Sequence, residues 1–289
     1  MDIDREEVQT VVTRQDIQKA VEELGIKAGD TVIVHSSFKS MGYVEGGAES
    51  VVSGFLDVLG EEGTLVFPTL VTKDFLNAYK TWHIDKESDV GYLTNYFRKR
   101  EGSYRSDQAT HSVAACGKNA KYLTETHGHT HKRFGNEGDT PFSADSPWEK
   151  MYYANTKIVL LGVPDSKITF RHYAEYLFIE ECLQSIEGHP QYQEMKNQLW
   201  AFGTPPGVWP HVYNFWAVEQ FEIKGLVTAT HCGNALLKCI PSKPYVDFLL
   251  QELRSGRTDV LWRNDRFWNT DDYIAWYKKL RKLQQEMKE

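Results

Sequence analysis

Thr169, His172 and Glu175 recur at intervals of three in the segment TFRHYAEYL. Three-residue steps on a helix bring side chains toward one face, so the three groups can act together. An imidazole is the side chain best suited to accept a proton near neutral pH. A carboxylate can fix its tautomer, and a hydroxyl can donate to a developing oxyanion. The same spacing also suits a plainer reading, in which Thr169 caps the helix while His172 and Glu175 form a surface pair. A second set lies in HSSFKSMGYVEGG, residues 35–47. The hydroxyls of Ser36, Ser37 and Ser40 and the backbone of Gly42, Gly46 and Gly47 offer hydrogen-bond donors ahead of a helix, which suits a phosphate or a polar tail. A plain βα loop is the alternative. Neither GxGxxG nor GxxxxGKS/T occurs in the sequence, which removes the main support for dinucleotide or P-loop chemistry.

Two further patterns carry weaker chemistry. His127, His129 and His131 alternate in THGHTH, yet no carboxylate or cysteine nearby completes a ligand set and Lys132 and Arg133 repel a cation, so no metal is expected. Cys116, Cys182, Cys232 and Cys239 lack CxxC spacing, and reduced, structurally buried thiols are the expectation. Cys116 in AACG has no local feature that lowers a thiol pKa.

These residues need a scaffold. Thr13 and Asp16 form a capping box ahead of a helix striped by Ile17, Val21 and Leu24 and ended by Gly25. The β-branched run Thr31–His35 reads as a buried strand, a helix follows from Ala48 to Gly60, and Thr64–Pro68 reads as a second strand. Strand, loop, helix, strand is a βαβ unit. Lys157–Gly162 followed by a helical pattern over about Thr169 to Leu183 adds another βα pair, so an α/β fold with a largely buried sheet is predicted. Parallel sheets present ligands at the carboxyl ends of their strands, where both the His35 loop and the start of the Thr169 helix fall. Segments 72–110 and 187–224, rich in Tyr, Trp, Phe, His, Gly and Pro, read as long loops of the kind that cover sites. The second contains GTPPGVWP beside Trp200, Trp209 and Trp216, either an aromatic wall or ordinary packing. The charged stretch from about Asp271 to Glu289 predicts a final helix striped by Ile274, Tyr277 and Leu280.

Composition bounds the function classes. With 289 residues, 41% hydrophobic and 25% charged, the chain has the make-up of a folded globular protein. Forty acidic against 33 basic residues give a net charge of −7, which argues against nucleic acid as a partner. No stretch approaches ~18 uninterrupted apolar residues, and the acidic start MDIDREEVQT is unlike a basic, then apolar secretory leader. A cytoplasmic protein without a membrane partner is expected.

Taken in order, VHSSFKSMGYVEGGAESVV, EEGTLVFPT, YRSDQATHSVAACGKNAKYL, TPFSADSPWEKM, KIVLLGV, TFRHYAEYL and the trailing GLVTATHCGNALL closely resemble the aminoglycoside 3-N-acetyltransferases, the antibiotic N-acetyltransferase family. The resemblance runs nearly end to end. It implies one domain over residues 1–289, a three-layer α/β/α sandwich around a mostly parallel or mixed sheet, with segments 72–110 and 187–224 bordering the acceptor site. This is unlike the GNAT-type acetyltransferases, whose Gln/Arg-x-x-Gly-x-Gly/Ala loop is absent here. By the same resemblance His172 is the catalytic histidine, Thr169 an oxyanion-stabilising threonine and Glu175 the acid of the HxAE segment. The coenzyme A loop falls on His35, Ser36, Ser37, Phe38 and Lys39, with Ser112 and Val113 lining the same tunnel.

The resemblance further implies acetyl-coenzyme A as cosubstrate, no metal, and a small-molecule amine as acceptor, with a homodimer kept open. The amine is the 3-amino group of an aminoglycoside's deoxystreptamine ring or, alternatively, that of an amino sugar or nucleotide-linked amino sugar of a surface glycan pathway. A more distant alternative is a Cys-His hydrolase using Cys116 or Cys182. Many family members have His-Pro where this chain has Gln108 and Ala109, so the floor of the acceptor pocket is expected to differ.

Overall fold

The computed structural model describes residues 10–71, 73, 78–127, 141–201, 214–257 and 270–289. A short strand β1 (Val11–Val12) leads into α1 (Arg14–Glu23). Both halves of the predicted capping box are present, with the Thr13 hydroxyl accepting from Asp16 N–H at 3.2 Å and the Thr13 N–H donating to Asp16 Oδ2 at 2.9 Å. Then follow β2 (Thr31–Ser36), β3 (Tyr43–Val44), α2 (Gly47–Leu59) and β4 (Thr64–Pro68). Strands β2 and β4 pair in parallel, which makes this the expected βαβ unit.

Segment 72–110 is more ordered than the long loop predicted for it. It holds α3 (Ala78–Thr81), α4 (Tyr92–Phe97) and β5 (Ser103–Arg105). After it come β6 (Val113–Gly117), α5 (Ala120–Thr124), α6 (Pro147–Tyr153) and β7 (Lys157–Leu161). The long helix α7 (Phe170–Gln184) precedes α8 (Tyr192–Ala201) and α9 (Asn214–Ile223). Segment 187–224 is thus largely helical where it is described, and the GTPPGVWP turn lies outside the described residues. The chain closes with β8 (Thr228–Cys232), β9 (Ala235–Pro241), α10 (Ser242–Arg254) and α11 (Thr270–Glu286).

Among the described residues one sheet has the order β5-β6-β4-β2-β7-β9-β8, and β1 pairs with β3 apart from it. The central β4, β2 and β7 run parallel, while β6 and β9 are antiparallel to their neighbours. The period-2 alternation of the strands divides the core in two. Val32, Val34, Leu65, Phe67, Val159 and Leu161 pack with α1, α2 and α4 on one face. Ile33, Val66, Ile158 and Leu160 pack with α5 to α11 on the other. This is the expected three-layer α/β/α arrangement. Among the described residues no helix is long and apolar enough to cross a membrane.

Candidate active site

Because β2, β4 and β7 are parallel, their carboxyl ends share one edge of the sheet, and the antiparallel β6 brings its amino end to the same edge. An open cavity of about 520 Å³ lies there, within the range usual for small-molecule sites. His35 and Ser36 at the end of β2, Pro68 and Leu70 after β4, Val163 after β7, and His111 just ahead of β6 line it. The turn leading into α7 and its first residues supply Ser166 to Thr169, Arg171 and His172, and the segment around α4 supplies Asp89, Val90, Gly91 and Thr94.

Glycine shapes this edge at one position above all. Gly162 leaves β7 at φ +61°, and a Cβ there would lie 2.6 Å from Ser40 Cβ and closer still to Ser40 Oγ. The close approach lets the β2 loop fold over the end of β7, with Ser37 N–H donating to Leu161 O at 2.9 Å and Ser40 Oγ–H donating to Ser37 O at 2.6 Å.

The three groups spaced on TFRHYAEYL do meet at this edge. Helix α7 is buried on nearly all sides, through Phe170, Tyr173, Ala174, Ile179 and Leu183, so its polar residues near the cavity are held against a rigid support. Glu175, 1% exposed, and His172, 7% exposed, form a buried pair with His172 Nδ1 2.7 Å from Glu175 Oε2. A carboxylate only accepts, so Nδ1 carries the proton and Nε2 the lone pair. Arg171 Nε–H directed at His172 Nε2 at 3.4 Å agrees with that tautomer. Thr169 stands at the amino end of α7, yet its side chain makes no capping hydrogen bond, which disposes of the capping reading. Buried at 5% exposure, it lines the cavity with His172.

The expected coenzyme loop divides. His35 and Ser36 line the cavity, whereas Ser37, Phe38 and Lys39, at the start of a single turn of 3₁₀ helix, are not among its lining residues. Phe38 packs its ring 5.4 Å from that of Tyr92, which follows the lining residue Gly91. Ser112 and Val113, expected to line the same tunnel, are not among the residues lining the cavity. Ser112 Oγ sits 2.8 Å from Thr69 Oγ1 and accepts from Arg105 Nε–H at 3.3 Å, and Val113 is fully buried. Arg105, its pKa pushed down to about 10 by burial, also donates to Thr69 O at 3.0 Å and Ile84 O at 2.8 Å. It thereby ties the segment ahead of Asp89 to the end of β4.

Sequence reasoning does not single out His111, Arg171 or Asp89. His111 and Arg171 stand inside quoted motifs, but only tertiary contact brings His111 beside His172, with ring centres 5.9 Å apart. Both rings pack on Phe142, at 5.1 Å from His111 and 5.6 Å from His172. Burial, followed by nearby positive groups, pushes His35 and His111 down to about 3, so both are neutral imidazoles at ordinary pH. His35 Nε2 is a buried nitrogen without a hydrogen-bond partner.

Of the alternating histidines, His127 is the one among the described residues. His127 uses both ring nitrogens on the protein, 2.8 Å from Ser106 Oγ and 2.8 Å from Pro141 O, and burial holds it to about 3. His129 and His131 lie outside the described residues. Among the described residues no group of three His, Cys, Asp or Glu side chains could hold a metal ion. All four cysteines are free thiols. Burial pushes Cys232 and Cys239 up to about 11 and raises Cys182 further, and none of the four lines the cavity.

An open α/β sheet with a buried imidazole–carboxylate pair and a hydroxyl at its carboxyl edge has the parts of a group-transfer site. Residues 33–254 match the aminoglycoside 3-N-acetyltransferase family, and the chain belongs to it. It is 31% identical over 184 residues to aminoglycoside N(3)-acetyltransferase VII of Streptomyces paromomycinus, covering 57% of this chain and 61% of that protein. To the SPbeta prophage-derived aminoglycoside N(3')-acetyltransferase-like protein YokD of Bacillus subtilis (strain 168) it is 32% identical over 185 residues, covering 57% and 65%. The matched region thus spans less than two thirds of either relative. Among solved structures, the apoenzyme of aminoglycoside acetyltransferase AAC(3)-IVa superposes with a TM-score of 0.65 at 20% identity, covering 89% of this chain and 94% of that one. AAC-IIIb in a binary complex with CoASH gives 0.66 at 18% identity, covering 86% and 98%. At these identities the structural likeness speaks for the shared fold.

Proposed function

We propose that this protein transfers the acetyl group of acetyl-coenzyme A to a primary amine of an aminoglycoside, at the 3-amino group of the deoxystreptamine ring, by direct attack assisted by His172. The observation that carries the reading is the 2.7 Å contact of Glu175 with His172, which lines a cavity together with His35, Ser36 and Thr169. The curated relatives named as aminoglycoside N(3)-acetyltransferases, together with the CoASH complex of a structural neighbour, favour the cosubstrate and the reaction class. The cavity itself suits an uncharged amide-bearing arm ending in a thioester, since its walls combine apolar Val90, Val163 and Ile168 with the polar edges of His35, Ser36 and Thr94.

The chemistry then follows from the tautomer. An ammonium has no lone pair, so the acceptor reacts after losing one proton to solvent. The neutral amine attacks the thioester carbonyl, a C–N bond forms, Arg171 Nε–H gives up its 3.4 Å contact with His172 Nε2, and the nitrogen's surplus proton passes to that atom. Glu175 stabilises the imidazolium so formed. Thr169 Oγ–H donates to the oxyanion. Collapse breaks the C–S bond, and the proton on His172 Nε2 passes to sulfur, leaving an amide and a free thiol. Base assistance of this kind is worth ~10² to 10⁴-fold in rate.

A second acceptor class has its own support. The charged side chains lining the cavity among the described residues are Lys167, Arg171 and Asp89, a balance that suits an amino sugar bearing a phosphate at least as well as a polycation. Measuring thiol release from acetyl-coenzyme A against aminoglycosides, amino sugars and sugar nucleotides separates the two. Turnover of aminoglycosides, with KM rising with salt, supports the first reading. Turnover confined to sugar nucleotides supports the second, and no release with any amine removes both.

A further inference from the structure

Lys167 brings to the cavity a charge that the chain around it does not neutralise. It closes a single turn of 3₁₀ helix, Asp165–Lys167, between β7 and α7, and lines the cavity from an exposed position. Asp165 is the nearest carboxylate in sequence, but Lys238 holds it, with Nζ 3.1 Å from Oδ1 and 3.2 Å from Oδ2. Among the described residues the Lys167 ammonium is left with neither an ion pair nor a hydrogen bond. Its field still reaches inward, where burial keeps His35 neutral and the Lys167 charge adds to that effect.

The sheet order separates this charge from the carboxylate that lines the cavity. Lys167 follows β7 and Asp89 belongs to the segment after β4, with β2 between the two strands. Asp89 is fixed there by Lys73 N–H, which donates to Oδ2 at 2.6 Å, and by its own N–H on Leu70 O at 3.2 Å. The lining is therefore positive on the β7 side, where Arg171 follows Lys167 by one helical turn, and negative on the β4 side. Lys39, the cation of the expected coenzyme loop, is exposed and is not among the lining residues.

We propose that Lys167 binds a phosphate of the acetyl donor, so that coenzyme A lies with its arm in the cavity and its anionic end on the β7 side, while the cationic acceptor enters past Asp89. The two substrates of the proposed reaction bear opposite charge, since coenzyme A is a polyanion and an aminoglycoside a polycation. An uncompensated ammonium draws the first and repels the second, so one side chain both anchors the donor and keeps the acceptor out of its place. A cavity of about 520 Å³ takes the arm and the thioester and leaves the nucleotide at its rim. There an exposed lysine can turn its three donors onto phosphate oxygens. Ser166, which also lines the cavity, adds a hydroxyl beside it. The proposal rests on the acetyl-transfer reading. Thiol release by wild type tests that reading, and binding measurements test the role of Lys167.

Isothermal calorimetry of wild type, Lys167→Met and Lys167→Arg with coenzyme A, its 3′-dephospho form and pantetheine decides it. Methionine keeps most of the side chain's length and removes the charge, and at an exposed position the fold should survive. We expect Kd for coenzyme A to rise about three- to tenfold in Lys167→Met and to return to within about twofold of wild type in Lys167→Arg. Its salt dependence should be shallower in Lys167→Met than in wild type. Kd for pantetheine, which has no phosphate, should stay within about twofold. A rise shared by the dephospho form assigns Lys167 to the diphosphate, and a rise confined to intact coenzyme A assigns it to the 3′-phosphate. An unchanged Kd for coenzyme A in Lys167→Met overturns the proposal, as does an equal rise with pantetheine. So does an unchanged donor Kd joined to a raised KM for sugar nucleotides, which would put the phosphate at Lys167 on the acceptor. Coenzyme A binding by wild type without thiol release to any amine would instead fail the acetyl-transfer reading and leave the Kd comparison to decide the role of Lys167.

Discussion

Glu175 Oε2 lies 2.7 Å from His172 Nδ1, one helical turn away on α7, with both side chains shielded from solvent. The carboxylate thereby fixes the imidazole as the Nδ1–H tautomer, and in the proposed mechanism it holds that ring while a proton arrives on the far nitrogen. Glu175→Gln keeps the shape but removes the charge that stabilises an imidazolium. We expect kcat to fall roughly 10² to 10⁴-fold, the range general-base assistance supplies, with coenzyme A affinity by calorimetry within about threefold of wild type. A kcat within threefold of wild type would show that the pair is structural.

Thr169 predicts a second loss by a different route. Its hydroxyl lines the cavity without capping α7, so Thr169→Val should leave helix stability nearly unaltered. Removing one oxyanion donor costs about 10² to 10³ in kcat, and Thr169→Ser should recover most of it. A drop in Tm without a drop in kcat contradicts the role given to Thr169.

Much of this arrangement is legible in the sequence, and the reasons differ element by element. The βαβ unit from Thr31 to Pro68 shows because its strands are β-branched runs and its helix repeats Val51, Val52, Phe55 and Leu59 on one face. The capping box at Thr13 shows because both partners lie within four residues. Helix α4 and strand β5 do not show, since elements of six and three residues are too short to display a period. Of the site, His172, Glu175 and Thr169 are legible because one helix carries all three. His111 is not, because its place beside His172 comes from a packing contact across 61 positions through Phe142. The inference that segments 72–110 and 187–224 are loops fails for one reason: aromatic and polar residues alternate in them without clear periodicity, and tertiary packing makes the helices.

At Gly162 a side chain has nowhere to go. Gly162→Ala would add left-handed strain of about 1–2 kcal/mol to a clash with Ser40, and the displaced β2 loop should weaken coenzyme A binding along with stability. Ser40→Gly in the same chain removes the clash but not the strain. The double variant should regain part of the lost Tm, a coupling read from the four-member cycle. Strict additivity in Tm would mean the two residues do not press on each other.

The buried histidines predict an acid-sensitive fold. His35, His111 and His127 are held near 3 in the folded protein, against about 6.5 in an unfolded chain. Between those values the unfolded chain binds protons that the folded one refuses, so stability is complete above about pH 6.5 and falls as pH drops, by up to about 1.4 kcal/mol per pH unit for each histidine. Glu180 works in the opposite sense, since burial raises it to about 7 and its contribution fades as pH rises toward that value. Three groups outweigh one, and Tm should drop from pH 7 to pH 5. A His127→Gln variant should show a shallower slope over that interval, and an equal or steeper slope contradicts the assignment.

Direct transfer to the amine leaves no task for a thiol. Cys116 is half-buried and accessible to alkylation, whereas Cys182, Cys232 and Cys239 are buried with raised pKa values. Iodoacetamide should therefore label Cys116 first, as read by peptide mass, and leave acetyl transfer intact. Activity lost in proportion to labelling would instead indicate a covalent acyl-enzyme.

The central claim is that the lone pair of His172 receives the proton of the attacking amine. Free-thiol release from acetyl-coenzyme A in the presence of an acceptor amine, followed for wild type and His172→Gln, tests it most directly. The account predicts a loss of at least ~10²-fold in kcat for the variant, with coenzyme A affinity preserved. Wild-type kcat in His172→Gln would contradict it.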